Sequence, residues 1–195
     1  MKLLLLLAAL VVIGLFVISL YNALVTSRNA YRNAFSQIDV QLTRRHDLIP
    51  NLVEAVKGYL QHERETLQAV MLARQQAQSG LHQAKTRPDD PAAVRALEQG
   101  EQGLSVALGQ LFAVSEAYPE LKANETVMQL MEELTSTENR VAYARQAHND
   151  AVMDYNNRCE TFPGSLVARR FGFRAAQLLA LPEGVAQRAP RISLS

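Results

Sequence analysis

The sequence is poor in the residues that build β-sheets, tight turns and disulfide frameworks. It has no tryptophan and one cysteine among 195 residues, with nine glycines, seven prolines and 6% aromatic residues. The single cysteine, Cys159, cannot form an intrachain disulfide, so the fold must rest on burial and helix packing. Alanine, leucine, glutamine, glutamate and arginine dominate instead, which is the composition of helices and argues against an all-β fold.

The chain also lacks an excess of charge of either sign. Its formal net charge is +1, and Lys2 is the only charged side chain in residues 1–20, which leaves 19 basic and 19 acidic residues beyond them. We therefore expect no nucleic-acid partner. The charge is unevenly spread, because residues 164–195 have five basic residues and one acidic residue, Glu183. The basic residues of this tail are Arg169, Arg170, Arg174, Arg188 and Arg191.

Residues 3–20 contain no charged side chain, and the next charge after them is Arg28. In a helix these residues rise by about 27 Å, close to the thickness of a hydrocarbon core. A cleaved signal peptide is the alternative, but its apolar region is usually about 7–15 residues long and ends at a small-x-small site, which residues 19–22 do not provide. We therefore expect residues 1–20 to remain as a transmembrane anchor in contact with the lipid bilayer. Basic residues flank both sides, so the positive-inside comparison does not choose an orientation.

Beyond the anchor, apolar residues recur at alternating spacings of three and four, the seam of a packed helical bundle. The stripes lie at residues 21–42, 52–74, 94–111 and 127–155. They predict an all-α fold in which the N-terminal transmembrane helix continues into a long, coiled-coil-like antiparallel four-helix bundle at residues 21–163. Residues 164–195 form a basic apolar C-terminal tail.

Local signals predict where the helices end. Pro50 disfavours helical geometry in the residue before it, so the first helix is expected to stop near His46 in a turn at residues 43–50. Gly80 is expected to end the second helix. The other predicted boundaries are caps at Asp90 and Asn124 and a stop at Pro163. Small residues in the third helix, Gly100, Gly103 and Gly109, are expected to let a neighbouring helix approach closely.

Four polar residues gather at the predicted turn between the first two helices: Arg44, Arg45, His46 and Asp47. In an antiparallel bundle this turn lies at the end away from the membrane. Such a cluster is typical of a tip that docks a partner, here a membrane protein, and it is also typical of the ordinary polar cap of a helical hairpin. Both interpretations are kept.

The tail returns to the membrane side if four antiparallel helices alternate in direction. Its first part interleaves basic and apolar residues, namely Arg169, Arg170, Phe171, Phe173 and Arg174. This composition is typical of a segment at the membrane surface that meets anionic head groups. A tail packed on the bundle, or a disordered one, is the alternative.

The sequence presents no catalytic, cofactor-binding or metal-binding motif. Residues 62–66 begin like the zinc-protease helix motif, but Thr66 stands where the second histidine must be. Four carboxylates could meet in the bundle core as di-iron ligands do: Asp39, Glu54, Glu63 and Glu133. The Glu-x-x-His repeats of such sites are absent. We therefore expect no cofactor and no catalysis.

Several blocks resemble the LemA family, and they occur in the family's order along essentially the whole chain. They are YNALV at 21–25, RN at 28–29, NAFSQIDVQL at 33–42, RRHDLIPNLV at 44–53, YPELKAN at 118–124, ENRVAYAR at 138–145, YN at 155–156 and FP at 162–163. The resemblance implies a bacterial inner-membrane protein with an N-terminal anchor and a helical bundle. It implies no known reaction and no catalytic residues, but association with membrane processes that include magnetosome formation.

Two hypotheses about function follow. The first is a membrane-anchored scaffold or adaptor that self-associates as a homo-oligomer or binds partner helices. The candidate contact points of this scaffold are of two kinds. Arg28, Glu101 and His148 are polar positions within the stripes, and Val53, Met71 and Met131 are further apolar positions. The second is an enzyme, or a ligand or metal sensor, with a site in the bundle core.

Overall fold

The computed structural model describes residues 1–180, and these residues are helical with no strand. The helices are α1 (Lys2–Lys57), α2 (Arg64–Thr86), α3 (Pro91–Ser115), α4 (Pro119–Lys122), α5 (Glu125–Glu160) and α6 (Gly164–Phe171). The predicted all-α fold is therefore confirmed. Glu183, Arg188 and Arg191 of the predicted tail lie outside the described residues.

The chain divides into two units. The anchor unit contains Met1–Phe35 and Ala147–Leu178, and the bundle unit contains Ser36–Gln146 together with residues 179–180. The first part of α1 and the last part of α5 belong to the anchor unit, and the remainder of both helices belongs to the bundle unit.

In the bundle unit, four helical segments share one apolar core. Its fully buried side chains come from every long helix, including Leu52 of α1, Val70 of α2, Leu104 of α3 and Val127 of α5. All four are stripe positions, and burying each leucine or valine side chain contributes about 1.5–3 kcal/mol. The three-four periodicity therefore identified the core correctly.

Contacts between α1 and its neighbours show an antiparallel arrangement. The Lys85 ammonium donates to Asp39 at 2.7 Å, and the Arg74 Nε donates to the His46 carbonyl at 2.6 Å, so α2 runs back along α1. The Asn124 amide, directly before α5, donates to the Tyr59 hydroxyl at 3.1 Å just past the end of α1, so α5 begins near the point where α1 ends. The antiparallel arrangement is as predicted.

The prediction of a turn at residues 43–50 is wrong, because α1 continues through Pro50 to Lys57. A proline inside a helix has no N–H for the carbonyl four residues earlier. Here that carbonyl belongs to His46, and it accepts the hydrogen bond from Arg74 of α2 instead. A side chain 28 residues further along the chain thus replaces the donor that Pro50 lacks, and the connection to α2 forms at residues 58–63.

Gly80 was also predicted wrongly as a helix end, since α2 runs on to Thr86. Gly80 is buried inside the helix because α3 passes directly over it. A Cβ atom at this position would lie 2.6 Å from the carbonyl oxygen of Ala96. At the same interface a Cβ on Gly100 would lie 2.8 Å from the Cα of Ala77. The close approach expected at Gly100 is confirmed, whereas Gly103 and Gly109 have no atom within 4 Å of such a Cβ.

The other predicted boundaries agree with the structure. The Asp90 carboxylate accepts a hydrogen bond from the Ala92 N–H at 2.9 Å and caps α3. The Asn124 side chain accepts from the Val127 N–H at 3.1 Å and caps α5, which ends at Glu160. Both caps satisfy N–H groups that have no partner in the first helical turn.

The anchor unit combines an exposed apolar helix with a packed region. From Leu3 to Ile18 the large apolar side chains of α1 other than Val17 are 53–74% exposed. Further along, Leu24, Tyr31 and Phe35 are buried, and so are Val152 and Tyr155 of α5. The apolar segment at the start of α1 is the one described helix long and apolar enough to cross a membrane.

Candidate functional sites

The four residues of the predicted docking tip lie inside α1 and not at a turn. Arg45 and His46 are only 4% and 1% exposed, whereas Arg44 and Asp47 are exposed. Arg44 forms an ion pair with Glu133 of α5. The structure therefore does not bring the four side chains together on one exposed tip, and a docking role for the exposed Arg44 and Asp47 stays a prediction.

Arg45 and His46 instead meet a buried carboxylate of α3. The Glu101 side chain is 3% exposed and accepts from Arg45 Nη1 at 3.1 Å, while its other oxygen lies 2.8 Å from His46 Nε2. Arg45 also donates to the Ser105 hydroxyl at 3.0 Å. A buried charge is tolerated when it is paired and hydrogen-bonded, and removing one partner is costly because the other is left uncompensated.

Two further charged residues of the bundle unit interact with this buried pair of Arg45 and Glu101. Glu138 of α5 lies 3.7 Å from Arg45. Arg145 of α5 is 7% exposed, and burial lowers the pKa of its guanidinium, whereas the negative charge of Glu101 acts in the opposite direction. Sequence reasoning identified Glu101 because a carboxylate interrupts an apolar stripe, but it missed Glu138 and Arg145. Their roles depend on the packing of α1, α3 and α5, which no local pattern specifies.

The four carboxylates considered as metal ligands are not assembled into one site. Asp39 pairs with Lys85, Glu54 with Lys57 and Glu133 with Arg44. Within residues 1–180, no group of three or more histidine, cysteine, aspartate or glutamate side chains could hold a metal ion. Burial raises the pKa of the Cys159 thiol, which lowers the fraction of reactive thiolate.

Two open apolar grooves run along the surface of the bundle unit. The first groove has a volume of about 710 Å³ and lies between α1 and α2. Val53, Leu60 and Met71 contribute to its floor, and Lys57 and Arg64 to its rim. The second groove has a volume of about 680 Å³ and lies between α3 and α5.

The second groove differs from the first in the charge of its rim. Its apolar lining includes Phe112, Met128 and Met131, and Glu125 and Glu132 add two negative charges. The first groove has two basic residues and one acidic residue, Glu54. The candidate contact residues Val53, Met71 and Met131 all line one of these grooves.

The first part of the predicted membrane-surface tail forms α6, a helix that the sequence analysis did not predict. It packs in the anchor unit through Val167 and Ala168, which contact Leu24 of α1. Arg169, Arg170 and Phe171 are exposed. Pro163 before the helix and Gly172 after it were the local signals that could have indicated it.

After α6 the chain is held against α5 and α1 of the anchor unit. The Asn156 side chain both donates to the Ala176 carbonyl at 3.0 Å and accepts from the Ala176 N–H at 2.8 Å. The Tyr155 hydroxyl donates to the Arg174 carbonyl at 2.9 Å. Phe173 lies against Tyr21, with 5.6 Å between ring centroids. Residues 164–176 are thus packed on helices, while the side chain of Arg174 remains exposed.

Comparisons with known proteins give one matching family model and several relatives. The family model described as the LemA family matches residues 34–194. Magnetosome protein MamQ 2 of Paramagnetospirillum magneticum and magnetosome protein MamQ of Magnetospirillum gryphiswaldense are each 26% identical over 175 residues, which is 80% of this chain and 63% of theirs. Protein LemA of Metamycoplasma hominis is 26% identical over 149 residues, 76% of this chain and 64% of its own length. The chain thus spans somewhat under two thirds of these relatives.

Proposed function

The chain belongs to the LemA family, and from this membership we propose that it is a single-pass inner-membrane scaffold that self-associates through its helical bundle and performs no catalysis. Family membership and the exposed apolar helix together describe a membrane-associated protein of the LemA type. The finer proposal adds one crossing of the membrane, a homo-oligomer and a role in supporting a membrane process through a membrane protein partner. The names of the magnetosome relatives are in keeping with such a process.

The apolar segment of α1 supports the proposed anchor. Thirteen large apolar side chains between Met1 and Ile18 are more than half exposed. Exposed apolar patches on soluble monomers rarely exceed a few hundred Å². A hydrocarbon core would remove this surface from water, with a gain of about 1.5–3 kcal/mol for each fully buried side chain.

The two grooves of the bundle unit support self-association. Both expose apolar side chains, and the rim of the first groove is net positive while that of the second is net negative. They share no lining residue and lie between different helix pairs. Apolar floors with oppositely charged rims complement each other between two copies of the chain. Contact between different surfaces of two copies is heterologous, so the copies assemble head to tail, into a closed ring or an open filament.

Charge reversal tests this interface in the full-length protein in detergent. Reversing the first rim with Lys57→Glu and Arg64→Glu, or the second with Glu125→Lys and Glu132→Lys, should shift the particle mass towards the monomer. A mixture of the two variants should associate again, because each then presents a rim opposite in charge to the other. Light scattering after size-exclusion chromatography measures these masses.

A matched control reverses two exposed arginines away from both grooves, with Arg95→Glu and Arg140→Glu. This control should keep the mass of the unmodified protein. A monomeric wild-type particle both in detergent and in lipid would contradict self-association. Loss of association that the mixture does not restore would contradict the pairing of the two grooves.

A further inference from the structure

We propose that α6 is a docking helix for anionic phospholipids, which binds the head groups of the membrane that holds α1. The inference rests on the proposed membrane anchor and adds a second contact with the bilayer, made by Leu166, Arg169 and Arg170. The ligand that α6 recognises is the phosphate of a lipid head group together with the acyl chains next to it.

The first observation is the position of α6 along α1. The helix packs on Leu24 and on the partly buried Val17 and Leu20, at the end of the apolar segment. With residues 3–20 in the hydrocarbon core, residues 21–24 pass through the head-group layer. Tyr21 lies at this level, and amphipathic rings are favoured there. All these contacts are within the anchor unit.

The second observation is the exposed face of α6. Leu166 is 61% exposed, and Arg169 and Arg170 follow it at spacings of three and four, so the three residues share one face. Val167 and Ala168 on the other face are buried. An apolar residue flanked by arginines suits an interface, because arginine stems lie along acyl chains while their charged heads reach the phosphates.

The surroundings of this face extend the same pattern. Phe162 and Phe171, on either side of it in sequence, are 80% and 55% exposed. Residues 161–182 contain no acidic residue, so no carboxylate of this segment offsets the arginine charges. Anionic lipids attract basic residues that lie near the membrane surface. The positive charge of this face therefore favours an anionic lipid surface as its partner. The acidic rim of the second groove is the alternative partner, but in the proposed oligomer that rim pairs with the basic rim of the first groove.

The third observation is that α6 is held in one orientation. A Cβ on Gly164 would lie 2.5 Å from the Arg158 carbonyl oxygen, so the start of the helix is pressed against α5. Gly172 ends the helix with a φ of 75°, a left-handed conformation that glycine adopts without strain. Phe171 packs edge-on against Tyr21 at 5.1 Å between centroids, and Arg28 lies 5.1 Å from the Phe173 ring. The arginine face is thus presented in a fixed direction.

A single introduced tryptophan tests the contact, because the chain has none of its own. The full-length Leu166→Trp variant is reconstituted in vesicles of phosphatidylcholine with phosphatidylglycerol, with bromine on the acyl chains as a quencher. We expect quenched, blue-shifted emission. Val106→Trp, at an exposed site on α3, is the matched control and should remain unquenched.

Charge dependence separates lipid phosphate from simple apolar contact. Arg169→Glu and Arg170→Glu in the Leu166→Trp background should reduce quenching towards the level of Val106→Trp, and pure phosphatidylcholine should do the same. Free inorganic phosphate added at equal ionic strength should not compete. If free phosphate competes, the conclusion that α6 recognises a lipid surface is overturned. If quenching is equal in vesicles with and without phosphatidylglycerol, the conclusion that α6 recognises the negative charge of the lipid is overturned.

A third variant distinguishes failure of this inference from failure of the proposed anchor. Val12→Trp reports whether α1 lies in the bilayer. Quenching of Val12→Trp without quenching of Leu166→Trp would overturn the role of α6 and leave the anchor standing. Absence of quenching in both variants would overturn the anchor and, with it, the docking of α6.

Discussion

At the scale of single residues, His148 is a buried titratable group in an aromatic environment. It is 5% exposed, and its ring lies 6.3 Å from Tyr31 and 5.8 Å from Phe35 between centroids. Its Nδ1 has no hydrogen-bond partner among the described residues. Burial lowers the pKa of the imidazole, against the opposing effect of a hydrogen bond with Asn149. Burial therefore favours the neutral ring in the folded protein more strongly than in the unfolded chain.

This burial predicts a pH dependence of stability. The folded pKa of His148 lies below the unfolded value of about 6.5, so the unfolded chain binds more protons just below that pH. The free energy of unfolding should fall as the pH drops through this range. His148→Phe removes the proton site and keeps an aromatic ring. The free energy of unfolding of this variant, relative to wild type, should therefore be greater at about pH 5 than at about pH 8.

Thermal unfolding followed by circular dichroism at both pH values measures this difference. His62→Phe, which replaces an exposed histidine, is the matched control. An advantage of His148→Phe that does not depend on pH would show that the ring contributes through packing alone.

At the scale of helical elements, the continuity of α1 depends on Arg74. Arg74→Met should leave the buried carbonyl of His46 without a donor, at a cost of about 1–3 kcal/mol in the free energy of unfolding. Pro50→Ala supplies an N–H to that carbonyl and removes a helix-interior proline, so it should be stabilising. In the Pro50→Ala background, Arg74→Met should cost less.

The double-mutant cycle isolates this coupling from other effects of the two substitutions. We expect a coupling energy of about 1–2 kcal/mol, measured by denaturant unfolding of all four proteins. Arg64→Met, an exposed arginine on the same helix, should show no coupling with Pro50→Ala. Additive effects at positions 50 and 74 would mean that Arg74 does not replace the missing donor.

The glycines of α3 give a second prediction at this scale. Gly100→Ala should lower stability by about 1–3 kcal/mol, because the new methyl group meets the backbone of α2 in a packed interface. Gly103→Ala, one turn away and open, should raise stability by about 0.5–1 kcal/mol through helix propensity. Unfolding midpoints of the pair measure both effects, and equal effects would contradict the close approach.

At the scale of the whole molecule, the proposed anchor predicts that the protein stays in the membrane with its N-terminus intact. After alkaline carbonate extraction of cells, the full 21.6 kDa chain should remain in the membrane pellet. Mass spectrometry of the purified protein should detect peptides from residues 1–20. A shortened product in the soluble extract would show instead that this segment is cleaved as a signal peptide.

The sequence was sufficient for features that depend on neighbouring residues along one helix. Core positions such as Leu52, Leu104 and Val127 follow from the three-four spacing, since one face of each amphipathic helix must be buried. The caps at Asp90 and Asn124 follow equally from local chemistry, because a side-chain oxygen satisfies N–H groups two or three residues away.

Features that depend on distant residues could not be predicted in this way. Pro50 would end a helix if the carbonyl it leaves free had no other donor, and only the packing of α2 supplies Arg74. The burial of Arg45 and His46 likewise depends on Glu101 of α3, so a polar cluster in the sequence became an internal charge network.

The sequence by itself determined that this protein is helical, that residues 3–20 are uncharged and that its tail is basic. Composition and periodicity are properties of neighbouring residues, and the apolar stripe of a helix must be buried regardless of which other helix packs against it. Only the tertiary structure decided where α1 and α2 end, which charges are internal and which face of α6 is exposed. Those outcomes depend on free energies of contact between residues far apart in the chain, and such contacts exist only once the helices have packed.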